Sequence, residues 1–200
     1  MKTSLFALRI SALLFGMMHT FQAHAAEAVW PSEPRAVFGV ALGQALDPAA
    51  VPPCPEGDTL RGLAQRSKGL CATVVDVLEG VQLRNTPDVG FIHTTAMTMV
   101  GGKVMQIALN FQNFQFDRAI AVLTAKYGAP MEEKTDSFKT RGGGTFSSRT
   151  LTWTGRETLL IAMERTGHLD AAQVAFIDLR TFAELQKANQ EVAKRGAAGL

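Results

Sequence analysis

The chain is 200 residues long, 46% hydrophobic, and carries 20 Lys+Arg against 18 Asp+Glu for a formal net charge of +2. Charges this nearly balanced exclude a nucleic-acid binder, which needs a clustered basic face to displace counterions from phosphates. They equally leave no basic amphipathic helix to favour an anionic membrane surface.

In chain order, Lys2 and Arg9 accompany the apolar stretch Leu5 to Phe15, which runs on to Ala23-His24-Ala25. A basic start, apolar middle and A-x-A ending predict a secretory signal peptide over residues 1–25, cleaved after Ala25. A retained membrane anchor is the weaker reading, because Arg9, Ser11, His19 and Thr20 break a run already short of the roughly 20 apolar residues a bilayer needs. No cysteine closes the segment for lipidation. With Lys2 and Arg9 removed, the mature balance is 18 basic against 18 acidic residues. The mature chain is long enough for one domain with its own core, and short for two.

Residues 26–69 read as a Pro-rich arm and a disulfide-pinned loop. Pro31, Pro34, Pro48, Pro52, Pro53 and Pro55 prevent regular helix or central strand. The exception is "VFGVALGQAL", residues 37–46, expected to form one strand or a helical turn. The only cysteines, Cys54 and Cys71, are expected to form a disulfide, since an exported chain meets oxidising conditions. Such a bridge contributes about 3 kcal/mol by constraining the unfolded chain. Two cysteines without a third ligand argue against zinc. Trp30 lies in a segment with no core of its own, so its indole must dock on the body, on a neighbour, or in water.

Residues 70–200 read as a single α+β domain. "FIHTTAMTMV", Gly101-Gly102 and "KVMQIALNF" predict two strands joined by a tight hairpin turn, with Met105, Ile107, Leu109 and Phe111 on the buried face. In "FDRAIAVLTAKYGAP", Phe116, Ile120, Leu123 and Tyr127 recur along one side of a helix that packs on the sheet. Asp117 and Lys126 complement its dipole, Gly128 suits a left-handed cap, and Pro130 cannot continue it. Every residue of "KYGAP" is thereby explained by helix termination. A polar stretch follows, with a loop at Gly142–Gly144, then strands at "FSSRTLTW", "TLLIAMER" and "QVAFIDLR". A last helix is expected from an N-cap at Thr181 to Lys194, with Phe182, Leu185, Asn189 and Val192 on its inner side. Helices clustered rather than alternating with strands predict an antiparallel sheet with helices packed on one face.

No catalytic constellation emerges. Gly101-Gly102-Lys103 lacks the remaining phosphate-loop residues and sits between strands. His19 and His24 leave with the signal, and His93 and His168 fall in no H-x-H, H-E-x-x-H or G-x-S-x-G pattern. No metal or cofactor is expected. Trp153 reads as a core residue.

The run "AIAVLTAKYGAP", a polar loop, "LTW" and "TLLIAMER" resembles the SmpA/OmlA outer-membrane lipoprotein family and the related repeat of the β-lactamase-inhibitor proteins. That resemblance covers about the last half of the chain and implies a helix packed on a small antiparallel sheet whose surfaces bind other proteins. "VFGVALGQAL" would begin a degenerate first copy. The chain departs from the family in lacking a lipid-attachment cysteine and in its extra terminal helix. The leading expectation is therefore an exported, periplasmic or secreted, non-catalytic protein. It would contact another envelope or secreted protein as adaptor, inhibitor or envelope accessory, without stable membrane insertion. Trp30, Arg141, Gly142, Gly143, Gly144 and Arg149 are its candidate contact residues. The alternatives are a small-ligand binding module on a concave sheet face, and a hydrolase built around His93 or His168.

Overall fold

A computed structural model describes residues 30–55, 69–74, 80–139 and 142–198. The expected signal peptide, the interior of the disulfide loop and Arg141 lie outside them.

Most of the described chain forms two four-stranded meanders, each followed by a helix. The first comprises β3 (Cys71–Val74), β4 (Gly80–Arg84), β5 (Thr94–Val100) and β6 (Lys103–Gln112), then a 3₁₀ turn (Asn113–Gln115) and α1 (Phe116–Tyr127). The second comprises β7 (Glu132–Lys139), β8 (Thr145–Thr154), β9 (Thr158–Met163) and β10 (Ala171–Asp178), then α2 (Leu179–Ala198). Ahead of both, β1 (Ala36–Val37) and β2 (Val40–Ala41) form a small hairpin. The meanders join through antiparallel pairing of β6 with β10, giving one eight-stranded sheet in the order β3-β4-β5-β6-β10-β9-β8-β7. The expected antiparallel α+β arrangement is present.

Register decides the core. Leu83, Thr95, Leu109, Val174, Ala162 and Leu151 are successive cross-strand partners, and Val81, Met97, Ile107, Phe176, Leu160 and Trp153 form the next row. Both rows face one side, and all but Val81 are buried. Ile107, Leu109 and Phe111 share the buried face, as expected. A bulge between Thr98 and Met99 breaks the pattern, so that Val104 and Met105 are both buried. Gly101 and Gly102 turn the hairpin with φ of 57° and 76°, values that favour glycine.

Helix α1 lays Phe116, Ala119, Leu123 and Tyr127 on this core, with Ile120 half-buried at its margin. Its end is satisfied from three directions. Gly128 N–H donates to Thr124 O at 2.9 Å, Trp153 Nε1–H to Gly128 O at 2.8 Å, and Trp30 Nε1–H to Tyr127 O at 2.7 Å. The indole of Trp30 also meets the Tyr127 ring edge-on at 6.0 Å.

The described part of the Pro-rich arm belongs to the same core, to which Val37, Val40, Leu42 and Val51 contribute. Glu33 anchors it by accepting the N–H groups of Glu157 and Thr158 at 2.7 and 2.6 Å. At the sheet's edge Cys54 is disulfide-bonded to Cys71, as expected. Beside it Cys54 N–H donates to Ala72 O and Ala72 N–H to Pro52 O, each at 2.9 Å.

Helix α2 departs from expectation at both its cap and its face. The cap is Asp178, whose Oδ1 accepts Thr181 N–H at 2.7 Å, so Thr181 falls inside the first turn and is buried. Phe182 is 36% exposed and Leu185 half-buried, whereas Asn189 and Val192 are exposed, so the apolar stripe read from the sequence reaches the body only in the first turns and stands in water beyond them. The helix leaves β10 and meets the start of β6, where Lys103 pairs with Glu184 at 3.2 Å. Among the described residues no helix is long and apolar enough to cross a membrane.

Candidate functional site

Antiparallel connectivity sends the β4–β5, β6–α1, β7–β8 and β9–β10 connections to one end of the sheet. These connections carry Ile92, Phe114, the Gly142–Gly144 loop and Leu169 respectively. Seven large apolar side chains are exposed among the described residues. Four of them, Ile92, Phe114, Leu169 and Phe138, belong to this end, which marks it out from the rest of the surface.

Ile92 is 84% and Phe114 81% exposed, yet the backbone that presents them is tied down. Gln115 clasps Ile92 on both sides: its Oε1 accepts Ile92 N–H at 3.0 Å and its Nε2–H donates to Ile92 O at 3.2 Å. Asn113 does the same for the β9–β10 turn, with Nδ2–H donating to Leu169 O at 3.0 Å and its backbone N–H donating to Asp170 O at 2.7 Å. Two amide side chains flanking Phe114 thus lock three apolar loops to one another. Folding alone gives no reason for these loops to end in isoleucine, phenylalanine and leucine rather than polar residues.

Arg149 braces the same end from β8. Its guanidinium pairs with Asp117 of α1 and with Glu164, and lies over the Phe116 ring at 5.1 Å. The hydrogen bond to Asp117 is the main reason this guanidinium is held above its ordinary pKa, since the pairing favours the charged form. Arg165 pairs with Glu164 and its Nη1–H donates to Ser147 O at 2.6 Å, extending support toward the β7–β8 hairpin. Past the last β8–β9 partners the hairpin continues as a two-stranded ribbon that ends in the Gly142–Gly144 loop, with Phe138 and Phe146 stacked near its tip at 6.1 Å. Strand β7 is exposed throughout, and Glu132, Glu133, Lys134 and Asp136 load this sheet edge with charge.

The residues singled out in sequence thus scatter. Gly142, Gly143, Gly144 and Arg149 belong to this end; Arg141 lies outside the described residues. Trp30 is only 5% exposed and sits at the opposite end, its ring spent on closing α1. His93 is held by Phe91 O at Nδ1 (3.0 Å) and by the Thr86 hydroxyl at Nε2 (3.2 Å), with its ring between Phe38 and Phe91. Both nitrogens therefore serve to shape the β4–β5 loop. His168 lies in the β9–β10 turn, its N–H donating to Thr166 O at 2.7 Å. Among the described residues no group of three or more His, Cys, Asp and Glu side chains is placed to hold a metal ion.

Reasoning from sequence missed Ile92, Phe114 and Leu169. The available signal was an apolar residue beside a turn-forming amide, as in "NFQ" at 113–115. Compared with protein-family models, curated proteins and solved structures, the chain matches none.

Proposed function

We propose that this is an exported, non-catalytic protein that works by contacting another envelope or secreted protein through the sheet end bearing Ile92, Phe114 and Leu169. The observation that carries the reading is that three apolar side chains are displayed to water on loops fixed by Gln115 and Asn113. A rigid apolar display loses little conformational entropy when covered, which is what a contact surface needs. Aromatic side chains such as Phe114 are also enriched at the cores of protein interfaces, within a polar rim. The Cys54–Cys71 disulfide supports an oxidising compartment, and the resemblance of the second half to exported binding domains points the same way.

The test is crosslinking capture of the tagged mature protein from envelope extract, wild type against an Ile92→Asp/Phe114→Asp/Leu169→Asp variant. One protein enriched by wild type and lost in the variant, at unchanged melting temperature, is the expected result. Equal capture by the variant, or no enrichment at all, overturns the reading.

A further inference from the structure

At the end of the sheet opposite the apolar loops, where β10 passes into α2, the surface opens into a cavity of about 240 Å³. That is room for about eight water-sized groups. Its floor is made by Leu42, Thr158 and Asp178, all buried; Arg35, Glu157 and Arg180 stand on its rim.

Several of the polar groups here are already engaged within the protein. The Thr158 hydroxyl donates to Pro34 O at 2.8 Å, and its N–H is taken by Glu33. Arg35 pairs with Glu157. Asp178 is only half used: Oδ1 accepts the Thr181 N–H that starts α2, and Oδ2 lies beside Gly43, where a Cβ would stand 2.5 Å away. The absence of a side chain at Gly43, which has φ of +69°, lets the arm pass over the carboxylate without covering the cavity. Among the described residues Arg180 makes no ion pair.

Among the described residues Asp178 Oδ2 accepts no hydrogen bond, and it is not sealed from water, so the cavity gives an incoming cation or donor direct access to it. The cavity thus presents a fixed negative group on its floor, an uncommitted guanidinium at its mouth, and an apolar wall at Leu42. We propose that it binds a small zwitterion of the free α-amino-acid class. The ligand's ammonium meets Asp178 Oδ2, its carboxylate meets Arg180, and a short side chain lies against Leu42. A simple anion is disfavoured by Asp178 and Glu157, a simple cation by Arg180. The site is separate from the apolar end and does not depend on its role.

The experiment is isothermal titration of the mature full chain with individual L-amino acids, each paired with its carboxamide and its N-acetyl derivative. At least one free amino acid should bind, with both blocked forms weakened about tenfold or more. Arg180→Ala, a change at an exposed position, should weaken that binding by a similar factor while the melting temperature of the unliganded protein is unchanged. The Ile92/Phe114/Leu169 variant should bind the amino acid like wild type. Absence of binding by every free amino acid at millimolar concentration overturns the assignment, as does equal binding of the blocked forms or of the Arg180→Ala protein.

Discussion

Removing the Trp30 indole tests whether the Pro-rich arm is part of the folded core or an appendage to it. Trp30 is 5% exposed, packs against Tyr127, and donates to the Tyr127 carbonyl at 2.7 Å. Trp30→Ala deletes a buried aromatic ring and leaves a cavity, a change that costs about 3–5 kcal/mol in well-packed interiors. Trp30→Phe keeps most of the apolar burial but strips the donor from a helix-terminal carbonyl, for about 1–3 kcal/mol. For a chain of this size those losses lower the melting temperature by roughly 2–4 °C per kcal/mol. Urea unfolding followed by far-ultraviolet circular dichroism, a probe that the substitutions leave in place, with the slope held constant, gives the free energies directly. The order wild type, Phe, Ala in falling stability is expected. A Trp30→Ala protein within about 0.5 kcal/mol of wild type would refute the claim that this ring closes α1, and would free Trp30 for an external contact.

Three further outcomes follow from the same contacts. Reduction of Cys54–Cys71, a bridge spanning 17 residues, should cost about 3 kcal/mol in denaturant titrations run with and without reductant; no shift would show that the loop is held without it. A Cβ at Gly155 would run into the Glu33 carboxylate, so Gly155→Ala should destabilise by about 1–3 kcal/mol in the wild type and by much less in a Glu33→Ala background. Additive effects in that double-mutant cycle would show the two residues to be uncoupled. Because Val192 is 59% exposed on α2, Val192→Ser should change unfolding free energy by less than about 0.5 kcal/mol; a larger loss would mean that this end of the helix is covered in solution.

Some elements were legible because their residues obey purely local rules. The Gly101-Gly102 hairpin needs positive φ, and glycine supplies it. The end of α1 needs a residue that leaves the helix, and Gly128 has φ of 86°. The disulfide followed from there being two cysteines in a chain whose N-terminus reads as an export signal. By contrast β3 and β4 are short and, among the described side chains, hold Ala72, Val81 and Leu83 toward the core, which is too little alternation to stand out. The inner face of α2 was misjudged because a repeating apolar stripe says that a helix is amphipathic and nothing about whether a surface exists to receive it.

The candidate site was less legible still. Arg149 and the glycine loop were recognised by residue type, but Ile92, Phe114 and Leu169 are separated by dozens of residues and meet only because antiparallel strands return their connections to the same end of the sheet. Asp178 and Arg180 likewise become the floor and mouth of one cavity only once the arm crosses them at Gly43. The amino-acid sequence by itself determined the period-two strands, the helix ends, the turn glycines and the cysteine pair, all set by steric and hydrogen-bonding preferences acting over a few residues. Tertiary structure alone decided that Trp30 is core, that α2 stands largely in water, and which side chains share an end of the sheet, because burial and proximity depend on how distant segments pack.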